Sequence, residues 1–406
     1  MYPKIDELMS EVGCSRWPDR WRDIYDEVME GYEKNGGTHL CNPDFYRDLH
    51  KRYEAFPRYL EVICEAAKKI EESKPLSRLL ALLGASLADR EHAWADVAAF
   101  SAPTPPCGTR DLATDMLTGL ATVSMLEYSH EKLAERNIPR EIILATTTML
   151  EAGIGEFAKR HNGAYGYHLM NWNQRAIDGT LFRIGRLEIE LCRYESRSAV
   201  FENEKGELIA LADGDSFHRD GIVLGSAGYK DDLGAFTPPL LESEDAYVGN
   251  PYDRLGRCSS EPIKLQKSEW KKLLSHGDKV IALHIPVGGS LAPDEVDRTL
   301  ELTKRFVAEY FPEWDYRGFT CESWLLDPQL EALLGDESNI VKFGRRFLRV
   351  SVESGGRSPN YFVFMRPMDE EVDVSALTEN TRLERALKEH YSKGGFIYDV
   401  FGYFSK

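Results

Sequence analysis

The stretch Lys279–Pro312, KVIALHIPVGGSLAPDEVDRTLELTKRFVAEYFP, decides the fold of the second half of the chain. It begins with an apolar run, continues through a loop with two consecutive glycines and ends in a long amphipathic segment. Val296, Leu300 and Val307 recur there at helical spacing, which predicts a helix that covers a sheet with one face. Pro293 suits the first helical turn because its missing N–H would have no partner there. The stretch therefore predicts strand, loop and helix.

The glycine loop has two interpretations. Gly288 and Gly289 allow the backbone to approach a ligand closely, and the N–H groups at a helix start favour an anion, so a pyrophosphate site is one hypothesis. Asp294 and Glu295 oppose that hypothesis because they already place negative charge in the first helical turn. The alternative is a tight turn that binds no ligand.

Length and composition indicate a folded protein with more than one core. The 406 residues favour two domains, and the contents of 42% hydrophobic and 29% charged residues are those of a soluble chain. No apolar run is long enough to span a bilayer, and the first residues lack the pattern of a signal peptide. We therefore expect a cytoplasmic protein that does not bind membranes.

Charge and motifs narrow the class of function. A formal net charge of -17 argues against a nucleic-acid partner. The seven cysteines show neither paired spacing nor a C-x-x-C motif, so neither a disulfide framework nor a metal site is predicted. The chain also lacks the motifs of P-loop nucleotide hydrolases, zinc proteases and nucleophile-elbow hydrolases. It carries no indication of oligomeric state.

The character of the sequence changes near residue 165. Helical periodicity dominates before that point, and strand-like alternation follows it. From Leu181 to Leu191 a period of two predicts one strand, with Arg183 and Arg186 on opposite faces and Glu188 on the polar face. We predict an α+β protein, in which an all-helical N-terminal domain, residues 1–165, precedes a mixed-sheet domain, residues 166–406.

Three further elements are predicted less directly. Ser216–Leu224 and Tyr361–Phe364 have the composition of short strands. Residues 225–262 are rich in glycine, proline, serine and charge, which predicts a long irregular insertion.

Four blocks of the sequence resemble a known family. These blocks are His284–Pro286, Phe182–Leu187, Cys321–Leu326 and Ser338–Ile340. With the order of the predicted elements, they resemble a two-domain bacterial acyltransferase family with a helical N-terminal domain and a GNAT-like C-terminal domain. The resemblance covers most of the chain. It implies acetyl-CoA or another acyl-CoA as co-substrate, and no metal.

The resemblance also implies a place for coenzyme A. In that superfamily the pantetheine lies along the strand before the glycine loop, and the pyrophosphate meets the loop amides. The residues that correspond here are Leu283, Ile285, Val287, Gly288, Gly289, Ser290 and Leu291. The usual loop begins with Arg or Gln where this chain has Ile285, so only the small residues match. Arg345 and Arg346, with Arg349, form the best basic cluster for the phosphates, and a solvated surface is the alternative.

Acyl transfer to an amine needs a group that accepts a proton and donors that polarise the thioester carbonyl. His284, at the end of the predicted strand, is the first candidate base, and a histidine bonded to a backbone carbonyl is the alternative. Glu188 and Glu190 are second candidates, with solvated carboxylates as the alternative. Cys321 is a candidate nucleophile, although a cysteine in an aromatic strand is usually inert core.

We predict an acyl-CoA-dependent N-acyltransferase in which the amine attacks the thioester directly. Two alternatives stay open: a catalytically inactive GNAT-like ligand-binding or regulatory module, and a protein whose helical half binds a protein partner. The acidic surface favours a cationic acceptor, either a small-molecule or a peptide amine.

Overall fold

The computed structural model describes residues 2–103, 110–366 and 372–406. The chain divides into two compact units, a helical unit up to Phe182 and a sheet unit from Arg183 to Lys406. Helices extend to residue 177 and a mixed sheet follows, so the predicted α+β class is confirmed. The domain boundary at residue 165 stays a prediction.

The helical unit is held by one core of apolar helix faces. In its fifth helix, Leu79, Leu80, Leu83 and Leu87 are all buried, which is the one-sided pattern that drives helix packing. The helices of this unit are α1 (Ile5–Glu11), α2 (Trp21–Asn35), α3 (Pro43–Tyr53), α4 (Leu60–Glu71), α5 (Lys74–Ala88), α6 (Ala93–Ala99), α7 (Leu112–Val123), α8 (Leu126–Glu135), α9 (Arg140–Arg160) and α10 (Met170–Ile177).

Two sheets carry the rest of the chain. The strands are β1 (Leu181–Ile184), β2 (Leu187–Arg193), β3 (Ala199–Asn203), β4 (Leu208–Ala212), β5 (Leu241–Glu242), β6 (Ala246–Pro251), β7 (Ile263–Gln266), β8 (Trp270–Leu274), β9 (Lys279–His284), β10 (Gly318–Ser323), β11 (Leu348–Ser351) and β12 (Val400–Ser405). Within the described residues, one sheet has the order β1-β2-β9-β10-β12-β11. The other has the order β5-β6-β4-β3-β8, with β7 beside β6.

The strand, loop and helix predicted for the opening stretch are confirmed. Helix α11 (Pro293–Tyr310) connects β9 to β10, which are parallel neighbours. Its buried side chains include the predicted Val296, Leu300 and Val307. The shorter helices of the sheet unit are α12 (Gln329–Leu334), α13 (Asn339–Gly344), α14 (Ser358–Phe362) and α15 (Arg382–Ser392).

The ladder between β9 and β10 is short. It pairs Ile281 with Phe319 and Ala282 with Thr320, and both strands run on past it, to His284 and Ser323. On its other side β9 is antiparallel to β2. The end of β9 therefore lies at the middle of the sheet, beside a part of β10 with which it forms no ladder.

The prediction of one continuous strand from Leu181 to Leu191 is wrong. Gly185 has a φ of 55° and belongs to the turn between β1 and β2. A Cβ atom there would lie 2.5 Å from Oγ1 of Thr299, so only glycine fits. As a result Arg183 lies on β1 and Arg186 lies in the turn, rather than on opposite faces of one strand.

The predicted strand at Tyr361–Phe364 is also wrong. Tyr361 and Phe362 belong to helix α14, Val363 and Phe364 follow it in a turn, and Pro359 occupies the first turn of the helix. Proline is tolerated there because the first N–H groups of a helix have no intrahelical acceptor. The proline signal therefore outweighs the aromatic and β-branched composition of the segment.

The predictions around residues 216–262 need correction as well. Ser216–Leu224 forms a loop in which Phe217 makes isolated bridges with Val223 and Phe236. The segment 225–262 is not irregular throughout, because it contains β5 and β6. Alternation is weak in these short strands, and their pairing depends on partners distant in the sequence.

Every helix in the described part of the chain is too short or too polar to cross a bilayer. The six cysteines in that part form no disulfide bond with one another, and Cys107 lies outside the described residues.

Candidate active site

His284 and two carboxylates share one face of the main sheet. The antiparallel register of β2 and β9 places Glu188 opposite His284 and Glu190 opposite Ala282. Since alternate residues of a strand lie on the same face, the imidazole and both carboxylates lie together. Nε2 of His284 is 2.9 Å from Oε2 of Glu190, and Nη1 of Arg183 is 3.4 Å from Oε1 of Glu188.

The bond between His284 and Glu190 determines which ring nitrogen acts as a base. An ionised carboxylate only accepts hydrogen bonds, so Nε2 must carry the hydrogen. In the neutral imidazole the lone pair is then on Nδ1, which is the atom that accepts a proton. The structure thus brings together the first candidate base, His284, with both second candidates.

Glu322 is a fourth member of this face that sequence reasoning missed. The parallel register of β9 and β10, extended by two residues, places Glu322 beside His284. The pKa of Glu322 is raised because the surrounding protein desolvates its carboxyl and Asp399 repels its negative charge, while His284 opposes the shift. The signal was present in the alternation of the predicted strand, which sends Glu322 to the face opposite Cys321.

Cys321 is not brought to this face. Its side chain is only 1% exposed, on the same strand as Glu322 but pointing the other way. Burial raises the pKa of the Cys321 thiol well above its ordinary value. The thiol is therefore protonated at neutral pH, whereas a nucleophilic cysteine needs a thiolate.

Arg186, which lies in the turn between β1 and β2, binds the backbone of the glycine loop. Its guanidinium donates hydrogen bonds to the carbonyl oxygens of Ser290 at 2.9 Å, of Pro286 at 3.0 Å and of Gly289 at 3.4 Å. Gly289 has a φ of 74°, and a Cβ atom there would lie 3.1 Å from Nε of Arg186. Ile285 stands where the usual loop pattern has Arg or Gln. In this chain an arginine from the β1–β2 turn binds the loop instead.

The same contacts orient the loop amides. In a trans peptide unit, the C=O of one residue and the N–H of the next point in opposite directions. Carbonyl groups that face Arg186 therefore turn the following N–H groups away from it. Within the described residues, the N–H groups of Val287–Leu291 donate no hydrogen bond. A group of N–H donors that point away from Arg186, just before the start of α11, is suited to bind an anion.

The remaining predicted cofactor residues have different environments. Leu283 and Leu291 are buried, Ile285 is half-buried and Val287 is exposed. Ser290 accepts a hydrogen bond from Nδ2 of Asn339 at 3.1 Å, which ties the loop to the start of α13.

The two arginines predicted to bind phosphate contact different acids. Arg346 pairs with Asp297 of α11 at 2.5 Å. Arg345 pairs with Glu331 and Asp336, which raise the pKa of its guanidinium. Arg346 thus offsets acidic charge near the helix start, whereas Arg345 belongs to a separate ion-pair network.

We call the face of the sheet that carries His284, Glu188, Glu190 and Glu322 the carboxylate face. A cavity of about 790 Å³ adjoins it. Glu322 and Asp399 line it, and the loop that follows β11 forms another wall. Among the described residues, no three His, Cys, Asp or Glu side chains are grouped so as to bind a metal ion.

Comparison with known proteins identifies the sheet unit. A family model described as GNAT-like C-terminal domain matches residues 181–404, which is more than half of the chain. The chain belongs to this GNAT-like family. The family predicted from the four sequence blocks is thereby confirmed, and the GNAT-like domain contains the whole carboxylate face and the glycine loop.

Solved acyltransferases share the fold of nearly the entire chain. An acyltransferase in complex with decanoyl-CoA and teicoplanin has a TM-score of 0.62 and 21% identity over 98% of each chain. An acyltransferase mutant in complex with octanoyl-CoA has a TM-score of 0.62 and 20% identity over 99% of each chain. One in complex with CoA and 10C-teicoplanin has a TM-score of 0.63 and 21% identity over 98% of each chain. No curated protein matches the chain by sequence.

Proposed function

We propose that this GNAT-like protein is an acyl-CoA-dependent N-acyltransferase in which an amine attacks the thioester directly. The observation that carries the proposal is the His284–Glu190 pair at the end of β9, immediately before the glycine loop. A group that accepts protons thus lies beside the place where β9 and β10 part. The acyl-CoA complexes of the solved acyltransferases with this fold support the choice of donor.

Coenzyme A would be held by backbone groups more than by side chains. The pantetheine would lie along the end of β9, at Leu283, and the adjoining Ile285, and the pyrophosphate would meet the N–H groups of Val287–Leu291. The N–H groups of Val287, Ser290 and Leu291 turn away from Arg186 because its guanidinium binds the carbonyl groups that precede them. Arg346 offsets the negative charge of Asp297, in the second turn of α11, by pairing with it.

The reaction makes an N–C bond and breaks a C–S bond. The amine nitrogen attacks the thioester carbonyl, Nδ1 of His284 accepts a proton from that nitrogen, and CoA leaves. Glu190 orients the imidazole through Nε2 and stabilises the imidazolium that forms. Cys321 has no part in this route, because its buried thiol lies on the opposite face.

The acceptor is proposed to be an amine on a small molecule or a peptide. The solved acyltransferase in complex with decanoyl-CoA and teicoplanin supports this choice of acceptor. Since acyl-CoA thioesters are intracellular metabolites, the proposed reaction places the protein in the cytoplasm. Residues 1–165 form its separate helical domain in this proposal.

The test has two parts on the full-length protein. Calorimetric titration with acetyl-CoA, octanoyl-CoA and decanoyl-CoA should show binding of at least one donor. Release of free CoA should then depend on the addition of an amine from a panel of primary amines. Failure to bind any of the three donors would refute the proposal, and donor binding without amine-dependent release would favour the inactive ligand-binding module.

A further inference from the structure

The cavity beside the carboxylate face is lined on one side by hydrogen-bond acceptors, which include Asp399. Its volume of about 790 Å³ lies within the range of small-molecule sites. Asp399 accepts hydrogen bonds from Oγ of Ser354 at 2.9 Å and from Oγ of Ser358 at 2.8 Å. Both serines are buried. The Asp399 carboxylate is therefore fixed in position on the cavity wall.

A second observation points independently to a ligand. Asn360 is 4% exposed, lines the same cavity, and its Oδ1 has no hydrogen-bond partner among the described residues. A buried amide oxygen without a donor costs free energy, which a ligand N–H would recover. The Glu322 carboxylate also accepts no hydrogen bond from the described residues. The cavity thus offers two acceptor groups, the Asn360 amide oxygen and the Glu322 carboxylate, that receive no hydrogen bond from the described residues.

The charges around the cavity favour a cation beside Asp399 and Glu322. Glu322, Glu353 and Asp399 line it together with Lys230 and Arg357. Lys230 and Arg357 are exposed, so solvent screens their charges. Asp399, in contrast, is held against buried serines. Glu322 and Glu353 are exposed as well, so a positive group that enters the cavity meets Asp399 as the one carboxylate of the three that buried serines fix on the wall.

We propose that this cavity binds the acceptor as a primary ammonium ion, an inference that rests on the proposed acyl transfer. The three N–H bonds of the ammonium reach the carboxylates of Asp399 and Glu322 and the amide oxygen of Asn360. The acceptor class is then an aliphatic primary amine, which is protonated at neutral pH. Alcohols, thiols and weakly basic aromatic amines lack that charge and bind poorly.

Glu322 also supplies the proton step that an ammonium requires. Its raised pKa makes it a stronger base than an ordinary carboxylate. Glu322 takes one proton from the ammonium, and the freed lone pair forms the N–C bond. His284 takes the second proton as the tetrahedral adduct forms. The C–S bond then breaks, and Glu322 returns its proton to the leaving thiolate, so amide, CoA thiol and protonated His284 result.

The test measures amine binding to the full-length protein without acyl-CoA. Benzylamine is the cationic probe and benzyl alcohol is its uncharged isostere, and saturation-transfer NMR reports the binding of each. We expect benzylamine to bind and benzyl alcohol not to bind. Asp399→Asn and Glu322→Gln should each weaken benzylamine binding by about tenfold or more. Glu337→Gln, an exposed acid outside the cavity, should leave it unchanged.

Several outcomes would overturn the ammonium site: no benzylamine binding, equal binding of the amine and the alcohol, or unchanged binding in the cavity variants. If Asp399→Asn does not fold, Glu322→Gln decides the question, because the Glu322 carboxylate makes no hydrogen bond within the described residues.

Measurements of CoA release on the same proteins separate this inference from acyl transfer. Amine-dependent release that is as fast in both cavity variants as in the wild type would refute the ammonium site and leave acyl transfer standing. Benzylamine binding that needs Asp399 and Glu322, in a protein that binds no acyl-CoA, would support the site and refute acyl transfer.

Discussion

Oε2 of Glu190 lies 2.9 Å from Nε2 of His284, across the antiparallel pair of β2 and β9. The carboxylate holds the ring in the tautomer that leaves its lone pair on Nδ1. Glu190 is therefore a positioning residue for the base. The relationship depends on the register of two strands separated by about ninety residues of sequence.

Glu190→Gln should slow the reaction without weakening the binding of acyl-CoA. The amide removes the negative charge that stabilises the imidazolium and no longer fixes the tautomer. We expect kcat to fall by about 10-fold to 100-fold, less than on loss of His284 itself. Steady-state kinetics with saturating acyl-CoA measure the change, and Glu269→Gln, at an exposed acid in the turn between β7 and β8, is the control. An unchanged kcat would remove Glu190 from the mechanism.

Arg186→Ala should weaken acyl-CoA binding rather than the chemical step. The variant loses all three hydrogen bonds to loop carbonyls, so the N–H groups that follow those carbonyls, of Val287, Ser290 and Leu291, are no longer held in this orientation. Hydrogen bonds from charged groups contribute about 1.5–3 kcal/mol, so we expect Kd for acyl-CoA to rise by about 10-fold to 100-fold.

Arg193→Ala is the matched control for this measurement by calorimetry. Arg193 also donates to a backbone carbonyl, that of Gly277 at 2.7 Å, but at the opposite end of β2. Equal effects of the two substitutions on Kd would show that Arg186 acts through general stability and not through the glycine loop.

Cys321→Ala should retain turnover. Direct attack by the amine needs no acyl-enzyme, and the Cys321 thiol is buried and protonated. The lost volume costs stability of about 1 kcal/mol, as expected for a small truncation in a core. Mass spectrometry of wild-type protein incubated with acyl-CoA should find no mass increase. A stable acyl adduct that disappears in Cys321→Ala would instead establish a two-step route.

Glu322 should make the folded protein less stable as the pH rises. Its pKa is raised from an ordinary value of 4.5, so above that value the folded protein keeps a proton that the unfolded chain has lost. The free energy of unfolding therefore falls as the pH increases from 4.5 through the raised pKa.

Glu322→Gln removes this contribution, so its free energy of unfolding should fall less over the same range. Urea denaturation at several pH values from roughly 4 to 7 measures the difference. The same pH dependence in the variant and the wild type would show that the environment of Glu322 is not desolvated.

Local patterns predicted much of this fold. The helical spacing of Val296, Leu300 and Val307 identified α11, and the apolar run before the glycines identified β9, because burial on one face leaves a periodic trace. The same logic placed His284 at the end of a strand beside the loop. Where a pattern depends on neighbours in the chain, sequence reasoning was sufficient.

Contacts between distant segments were beyond that reasoning. No periodicity indicates that Arg186 reaches the carbonyls of Gly289 and Ser290, because its position depends on the turn at Gly185, which lies against the distant Thr299. Likewise, Glu322 and Asp399 meet through the pairing of β10 with β12, which is set by the whole sheet. Tertiary pairing of this kind leaves no short-range signal.

The rate of a single turnover in His284→Gln tests the central claim most directly. With wild type and variant saturated with acyl-CoA, an added primary amine should release CoA about 100-fold to 10,000-fold more slowly in the variant. Kd for acyl-CoA should stay within about threefold, since backbone groups hold the cofactor. His276→Gln, a histidine bonded to the backbone carbonyl of Glu195, should match the wild type. Equal rates of CoA release in His284→Gln and the wild type would contradict the account.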